Sequence, residues 1–115
     1  MKLTGEDPET PGQLKSHYAT ITPLYFGDVI EMLQGFTNRR VAVITLNKLY
    51  DIDPALLFQL SAVGNLNEAA SNLFKVLRLL DKLQPDVILA DKFPEEGIGR
   101  AINDRLGKAQ HHYKL

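Results

Sequence analysis

Two almost continuous apolar stretches, VAVITL at residues 41–46 and VILA at residues 87–90, constrain the fold more than any other feature of this chain. A strand with one face in water alternates apolar and polar residues, whereas a strand covered on both faces is apolar throughout. Both stretches have the length of strands and fall far short of the ~20 residues needed to cross a bilayer. They therefore predict interior strands of a sheet that has a layer packed on each side.

The remaining elements alternate with these two strands. PLYF (residues 23–26) and LLFQLS (residues 56–61) are typical of strands. Helices are predicted from Asp28 to Gly35, from Asn65 to Pro85, and over residues 97–109, with a capping box at the start of the first two. This order predicts an α/β fold: a three-layer, mostly parallel sheet of about four or five strands with helices on both faces. The connection between the second and third strands, about ten residues with Pro54, barely allows a parallel crossover. An antiparallel pair, or two separated strands, therefore remain open.

The apolar spacing within the helices predicts which side chains face the sheet. The predicted inward positions are Val29, Ile30, Leu33 and Phe36 in the first helix; Leu66, Ala69, Ala70, Leu73, Phe74, Leu77, Leu80 and Leu83 in the second; and Ile98, Ala101, Ile102, Leu106 and Ala109 in the third.

Composition limits the function classes. The chain has 115 residues, 13 basic against 14 acidic, so it lacks the basic surplus of a nucleic-acid binder. It has no cysteine, which excludes disulfides and most structural zinc sites and is compatible with the cytoplasm. The first ten residues do not form a signal peptide. We expect an extended linker over residues 1–22, one folded domain over 23–110, and a polar tail over 111–115 that includes His111 and His112.

Open parallel sheets bind ligands at the carboxyl ends of their strands, so reactive groups are expected in the loops at those ends. Gly97 and Gly99 open the last helix, but the spacing does not fit a dinucleotide fingerprint, and Glu95 and Glu96 would repel an anion. We expect these glycines to allow close packing of helix against sheet. No catalytic set and no metal site is predicted, and Asp51 and Asp53 are expected in a solvated turn. The candidates for contact with a ligand or another domain are Asn47, Glu95, Glu96, Gly97, Gly99, Asp104 and Arg105.

The polar segment before the first strand carries Lys15, His17 and Tyr18. In an extended chain alternate residues point the same way, so Lys15 and His17 would share a side and Tyr18 would face the other. Such a segment can lie along a cleft and offer hydrogen bonds to an anionic ligand. An uncommitted polar tail is the other interpretation that the residues allow.

Two motifs resemble a known family. PGQLKSHYATITPL resembles the interdomain linker of two-domain L-threonylcarbamoyladenylate synthases, whose signature is Pro-Gly, then a Lys, then His-Tyr-Ala-Pro. DVILADKFPEEGIGRAINDRLGKA resembles the closing strand and helix of the same family's C-terminal domain. The motifs stand in the family's order, and the resemblance covers residues from about 11 to 109.

The resemblance implies a function. In that family a YrdC-like catalytic domain combines L-threonine, bicarbonate and ATP into threonylcarbamoyl-AMP, and a partner complex transfers the threonylcarbamoyl group to tRNA. The C-terminal domain is Rossmann-like, and the linker folds over the catalytic cleft. Lys15, His17, Tyr18 and Ala19 correspond to the cleft-facing motif, whereas Thr20 replaces the family's Pro, which makes the linker less rigid.

The catalytic domain of the family is missing from these 115 residues. We therefore expect an accessory domain that is inactive alone and binds no cofactor itself. It would act with a YrdC-like domain in cis or in trans and touch tRNA only indirectly. Two alternatives remain open: a nucleotide- or ligand-binding regulatory module that uses the strand ends near Asn47 and Gly97, and a plain interaction or oligomerisation domain.

Overall fold

The computed structural model describes residues 22–110. Predictions for the linker motif, at Lys15, His17, Tyr18, Ala19 and Thr20, and for the tail at 111–115 lie outside the described residues. The strands are β1 (Leu24–Gly27), β2 (Val41–Thr45), β3 (Leu57–Gln59) and β4 (Val87–Asp91). The helices are α1 (Val29–Leu33), α2 (Leu66–Leu83) and α3 (Ile98–Ala109), with short 3-10 turns at Gln34–Phe36 and Pro54–Leu56.

The four strands form one sheet in the order β1-β4-β2-β3, and every neighbouring pair is parallel. The predicted mostly parallel α/β sheet is confirmed. The antiparallel and separated alternatives for β2 and β3 are both wrong, because Val43 pairs directly with Leu57 in parallel register. The segment between β2 and β3 contains no regular helix. Its Tyr50 and Ile52 side chains pack against the sheet, and the chain enters β3 through the 3-10 turn that begins at Pro54.

A layer covers each face of the sheet. One face, which we call the two-helix face, packs Ala42, Ile44, Ile88 and Ala90 against α2 and α3. On the opposite face, Val41, Val43, Val87 and Leu89 pack against α1 and against side chains from the β2–β3 connection, notably Tyr50 and Ile52. All five residues of β2 and all five of β4 are buried, as the unbroken apolar stretches predicted.

The predicted N-caps are confirmed. The Asp28 carboxylate accepts a hydrogen bond from the Glu31 backbone N–H at 3.2 Å, and the Asn65 side-chain oxygen accepts one from the Glu68 N–H at 2.9 Å. Each bond satisfies an N–H that has no partner within the first turn of its helix. The long helix ends at Leu83, and Gln84 takes a left-handed conformation (φ +50°) just before Pro85.

Some predicted inward positions are wrong. Ile30 is 64% exposed, because α1 is a single short turn that buries only Val29 fully. Phe74 and Ile98 are 42% and 39% exposed, since they lie at the outer margin of the α2–α3 contact, and Ala101 is also exposed there. Leu83, the last residue of α2, is 38% exposed. The spacing marked the correct side of each helix but overestimated the width of the buried stripe.

Gly99 is where the loop after β4 comes closest to α3. A Cβ built at this position would collide with the Pro94 carbonyl oxygen and would come within 3.3 Å of the Leu66 side chain. The glycines were predicted to allow close packing of helix against sheet. At Gly99 the close neighbours are instead a loop carbonyl and a side chain of α2. At Gly97 the backbone is left-handed (φ +56°), and no neighbour lies within 4 Å of the Cβ position.

We predict that Gly99→Ala lowers the free energy of unfolding by about 1–3 kcal/mol, because a backbone oxygen cannot move aside as a flexible side chain can. Gly107→Ala in the same helix is the matched control, since its Cβ would enter open space. It should raise stability by about 0.5–1 kcal/mol through helix propensity. Urea denaturation measures both, and equal shifts in the same direction would refute the close contact.

Candidate functional site

The carboxyl ends of the strands form the edge of the sheet at which a ligand site is expected. The chain leaves β1 and β2 onto the face covered by α1, whereas it leaves β4, which lies between them, onto the two-helix face. Neighbouring strands whose connections diverge in this way leave a crevice at their carboxyl ends. Asp28, Asn47 and Asp91 all lie at this carboxyl edge.

A buried carboxylate occupies the centre of the carboxyl edge. Asp91, the last residue of β4, is 7% exposed. Its Oδ2 accepts hydrogen bonds from the Thr45 hydroxyl at 2.9 Å and from the Tyr50 hydroxyl at 2.7 Å. The Lys48 ammonium lies 3.7 Å from the same oxygen. A buried charge needs partners of this kind, since desolvation without them costs several kcal/mol.

This environment makes the Tyr50 phenol a weaker acid. Burial, the hydrogen bond to Asp91 and the negative charges of Asp91 and Asp28 raise the pKa of the Tyr50 phenol well above its ordinary value. The phenol is therefore a hydrogen-bond donor at neutral pH. It joins the β2–β3 connection to β4 and is not poised to act as a base.

The loops around Asp91 are held by further hydrogen bonds. The Gln59 side-chain amide donates to the backbone oxygens of Asn47 and Lys48 at 3.0 and 2.9 Å. The Lys48 N–H also lies 3.4 Å from the Thr45 hydroxyl. Asn47, a predicted candidate, is exposed beside this cluster. The hydrogen bond that its backbone oxygen accepts from Gln59 holds the loop in place.

A second group of hydrogen-bonded side chains lies in the loop after β4. This loop contains Glu95, Glu96 and Gly97, which were predicted as contacts with a ligand or another domain. The buried Asn103 side chain bonds both backbone groups of Phe93 at 2.8 Å and donates to the Glu95 carboxylate at 2.8 Å. Arg100 Nε lies 3.7 Å from Glu95, and the Glu96 carbonyl accepts from the Gly99 N–H at 3.0 Å. These contacts fold the loop against α3.

Asp104 and Arg105 are not brought together. Asp104 pairs with Lys108 at 3.2 Å on the exposed side of α3. The Arg105 guanidinium lies 4.1 Å from the centre of the Phe74 ring, a cation–π contact that joins α3 to α2. The structure thus divides the predicted candidates between two loops and the outer face of a helix.

The residues of the Asp91 cluster were not among the candidates predicted from the sequence. Asp91 was visible as the polar end of an apolar strand, but its partners lie 41 and 46 positions away in the sequence. Among residues 22–110, no group of three or more His, Cys, Asp or Glu side chains could hold a metal ion. Within the same range no helix combines the length and apolar character of a membrane span.

Exposed apolar side chains surround the same edge. Ile30, Leu49 and Val63 are 64%, 82% and 83% exposed, and they come from the segments that follow β1, β2 and β3. The neighbours of Leu49 on both sides are anchored, Lys48 through Gln59 and Tyr50 through Asp91. Leu49 is therefore presented to solvent on a fixed loop.

Comparison with known proteins gives one family. The family model described as "Threonylcarbamoyl-AMP synthase, C-terminal domain" matches residues 2–110. The threonylcarbamoyl-AMP synthase of Bacillus subtilis (strain 168) is 32% identical over 114 residues, which cover 90% of this chain and 32% of that protein. The chain thus spans about a third of the length of the curated relatives it matches.

Solved structures agree with this family. Pyrococcus abyssi Sua5 complexed with L-threonine superposes with a TM-score of 0.63 at 30% identity, covering 79% of this chain and 28% of that one. The C-terminal Sua5 domain of a hypothetical Sua5 protein from Pyrococcus horikoshii gives a TM-score of 0.57 at 27% identity. In that comparison 80% of this chain and 96% of the other are covered.

We predict that Tyr50→Phe lowers the free energy of unfolding by about 1–2 kcal/mol at neutral pH, because Asp91 loses one donor. A raised phenol pKa in the folded state contributes stability below the ordinary value of about 10, and this contribution is lost as pH rises through the folded-state value. The difference between the wild type and Tyr50→Phe should therefore stay constant below about pH 10 and shrink as the pH rises above it. Denaturation across this range tests it, and a constant difference would show that the pKa of Tyr50 is ordinary.

Proposed function

Because this chain belongs to the threonylcarbamoyl-AMP synthase C-terminal domain family, we propose that it is the accessory domain of such a synthase. In this proposal it acts with a YrdC-like catalytic domain, in cis or in trans, and residues 15–20 cover that domain's substrate cleft. The observation that carries the proposal is the extent of the family match. It begins at residue 2 and so includes the Lys15–Thr20 motif as well as the folded part.

The chemistry of the folded part supports an accessory role. The Asp91 carboxylate, the most buried acidic group at the carboxyl edge, is already engaged by Thr45, Tyr50 and Lys48. Asn103 and Glu95 likewise bond to their own loop and helix. Polar groups that are bonded to neighbouring strands, loops and helices in this way hold the scaffold together.

The linker residues would supply binding groups to the cleft. If the segment binds in an extended form, Lys15 and His17 lie on one side and can donate to anionic groups of ATP or bicarbonate, while Tyr18 packs on the other. Covering the cleft would exclude water from a reactive adenylate. In this proposal ATP, L-threonine and bicarbonate are substrates of the complete enzyme, tRNA is reached only indirectly, and the location is cytoplasmic.

The ligand-module alternative rests on the crevice at the carboxyl edge beside Asn47. Asp28 and Asp91 disfavour a nucleotide phosphate in this crevice, although the Lys48 ammonium, 3.7 Å from Asp91, offsets part of their charge. Isothermal titration of the chain with ATP, AMP and threonylcarbamoyl-AMP separates the two candidates, because flat titrations would remove the ligand module.

We expect the isolated chain to form no threonylcarbamoyl-AMP and to increase its formation when added to a YrdC-like catalytic domain of the same family. The double variant His17→Ala/Tyr18→Ala should reduce this stimulation at least about tenfold, because a hydrogen bond to a charged ligand contributes about 1.5–3 kcal/mol. Adenylate formation from ATP, L-threonine and bicarbonate is the measurement.

Glu9→Ala, outside the motif, is the matched control and should keep the full stimulation. Two results would contradict the proposal: adenylate formed by the chain alone, or neither binding nor a change in rate when the catalytic domain is present.

Restoring the family's proline is a separate test. Thr20→Pro removes conformations that the unbound linker would otherwise lose on binding, an effect of about 0.4–1 kcal/mol where the backbone is compatible. We expect the chain to bind the catalytic domain about two- to fivefold more tightly. Titration calorimetry measures this, with Thr10→Pro as the control. Weaker binding by Thr20→Pro alone would mean that the bound linker has a conformation that proline does not allow.

A further inference from the structure

We propose that a cavity beside α3 binds a free α-amino acid in its zwitterionic form. The cavity has a volume of about 440 Å³ and lies between α3, the end of β1 and the loop after β4. It is separate from the crevice beside Asn47, because neither Asn47 nor Asp28 nor Asp91 lines it. Binding at this site is independent of the proposed function.

The position of the cavity follows from the strand order. β1 and β4 are neighbours, but the chain leaves β1 onto the face covered by α1 and leaves β4 onto the two-helix face. Phe26, near the end of β1, and Lys92, directly after β4, both line the cavity, which therefore lies where these connections diverge. Open parallel sheets bind small ligands at such a point. The volume is also within the usual range for a small-molecule site.

Side chains of both charges line the cavity. Lys92, Arg100 and Lys108 supply three cations, and Glu95 and Asp104 supply two carboxylates. A simple anion would be repelled by the carboxylates, and a simple cation would be repelled by the basic groups. An α-amino acid carries a carboxylate and an ammonium group on the same carbon atom, so it can pair with both charges at once. The mixed lining therefore favours a zwitterion over an ion of one charge.

The ion pairs in this cavity can exchange partners with a ligand. Arg100 Nε lies 3.7 Å from Glu95, and Lys108 Nζ lies 3.2 Å from Asp104. All four side chains are more than half exposed, and exposed pairs of this kind contribute little to stability. Lys92 is exposed and forms no ion pair in the part of the chain that the structure describes. Lys92 and Arg100 can therefore bind a ligand carboxylate without breaking a contact that holds the fold.

One of the carboxylates is held in a fixed orientation. The Asn103 side chain is buried, and its Nδ2 donates to Glu95 Oε2 and to the Phe93 carbonyl, both at 2.8 Å. Glu95 therefore keeps one oxygen bonded to the domain, while the other, Oε1, lies towards Arg100. An acceptor that is already oriented loses less entropy on binding, so Glu95 Oε1 suits the ammonium group of the ligand.

Gly107 leaves the wall of the cavity open. No heavy atom lies within 4 Å of the position that its Cβ would take, so packing of α3 does not require a glycine there. A glycine in a helix is less favourable than an alanine. The space that Gly107 leaves belongs to the same cavity as half-buried Phe26, and it can take up the side chain of an apolar amino acid. L-Leucine is therefore a suitable probe.

Nuclear magnetic resonance of the ¹⁵N-labelled chain tests the site. We expect L-leucine to give saturable shifts of the backbone amide signals of Lys92, Arg100, Asn103 and Gly107, and none at Arg40, which lies at the other end of the sheet. L-Leucinamide lacks the carboxylate, and N-acetyl-L-leucine lacks the ammonium group. Each should bind at least about tenfold more weakly, because it loses the hydrogen bonds of one charged group.

Two variants locate the binding. Gly107→Leu fills the cavity and should abolish the shifts, while its thermal unfolding midpoint stays at or above that of the unmodified chain. Lys92→Ala should weaken binding about tenfold, because the ligand carboxylate loses a charged donor. Lys82→Ala is the matched control, since Lys82 is an exposed lysine at the end of α2 that does not line the cavity. It should leave the affinity unchanged.

Four results would overturn the proposal: no saturable shift with L-leucine, equal binding of N-acetyl-L-leucine, equal binding of L-leucinamide, or shifts that persist in both Gly107→Leu and Lys92→Ala. Because Lys92→Ala removes no contact that holds the fold, its result decides the question if Gly107→Leu unfolds. None of these measurements involves adenylate formation, so their failure would leave the proposed function untouched.

Discussion

The burial of β4 and β2 on both faces is the constraint on which the rest of the structure depends. All ten residues of these two strands are buried, so each must have a layer above it and a layer below it. Burying one large aliphatic side chain contributes about 1.5–3 kcal/mol. The two strands supply two such side chains, Ile44 and Ile88, to the two-helix face and four to the opposite face. This is why α2 and α3 lie together on one face, and why α1 and a non-helical connection cover the other.

Much of this arrangement could be predicted because its signals are local. The strands were visible as apolar stretches, and the α2 cap was visible in Asn65 and Glu68 alone. The second layer was harder to predict. The connection that covers Val43 and Leu89 has no periodic pattern, since Tyr50 and Ile52 contact the sheet from an irregular backbone. Because no helix pattern marks this connection, the sequence allowed an antiparallel β3 as readily as the parallel strand that is present.

The candidate site was less predictable because its contacts are long-range. Asp91 lies four and six positions before two predicted candidates, Glu95 and Gly97, but its partners come from β2 and the loop beyond it. Those partners are ordinary residues in the sequence, and only the sheet order brings them to β4. Gly99 shows the opposite case, since the sequence indicated close packing and the structure supplies the contacting atom, the carbonyl of Pro94.

The Asn103 amide has a consequence for the way the sheet ends. Its oxygen and nitrogen bond the N–H and the C=O of the same residue, Phe93, at 2.8 Å each. This paired pattern imitates one residue of a neighbouring strand, so a side chain from a helix satisfies backbone groups that would otherwise need further sheet. The chain can therefore leave β4 while still buried, with Phe93 at 3% exposure, and turn directly into α3. A single amide thus pairs the backbone of the buried segment that joins β4 to α3.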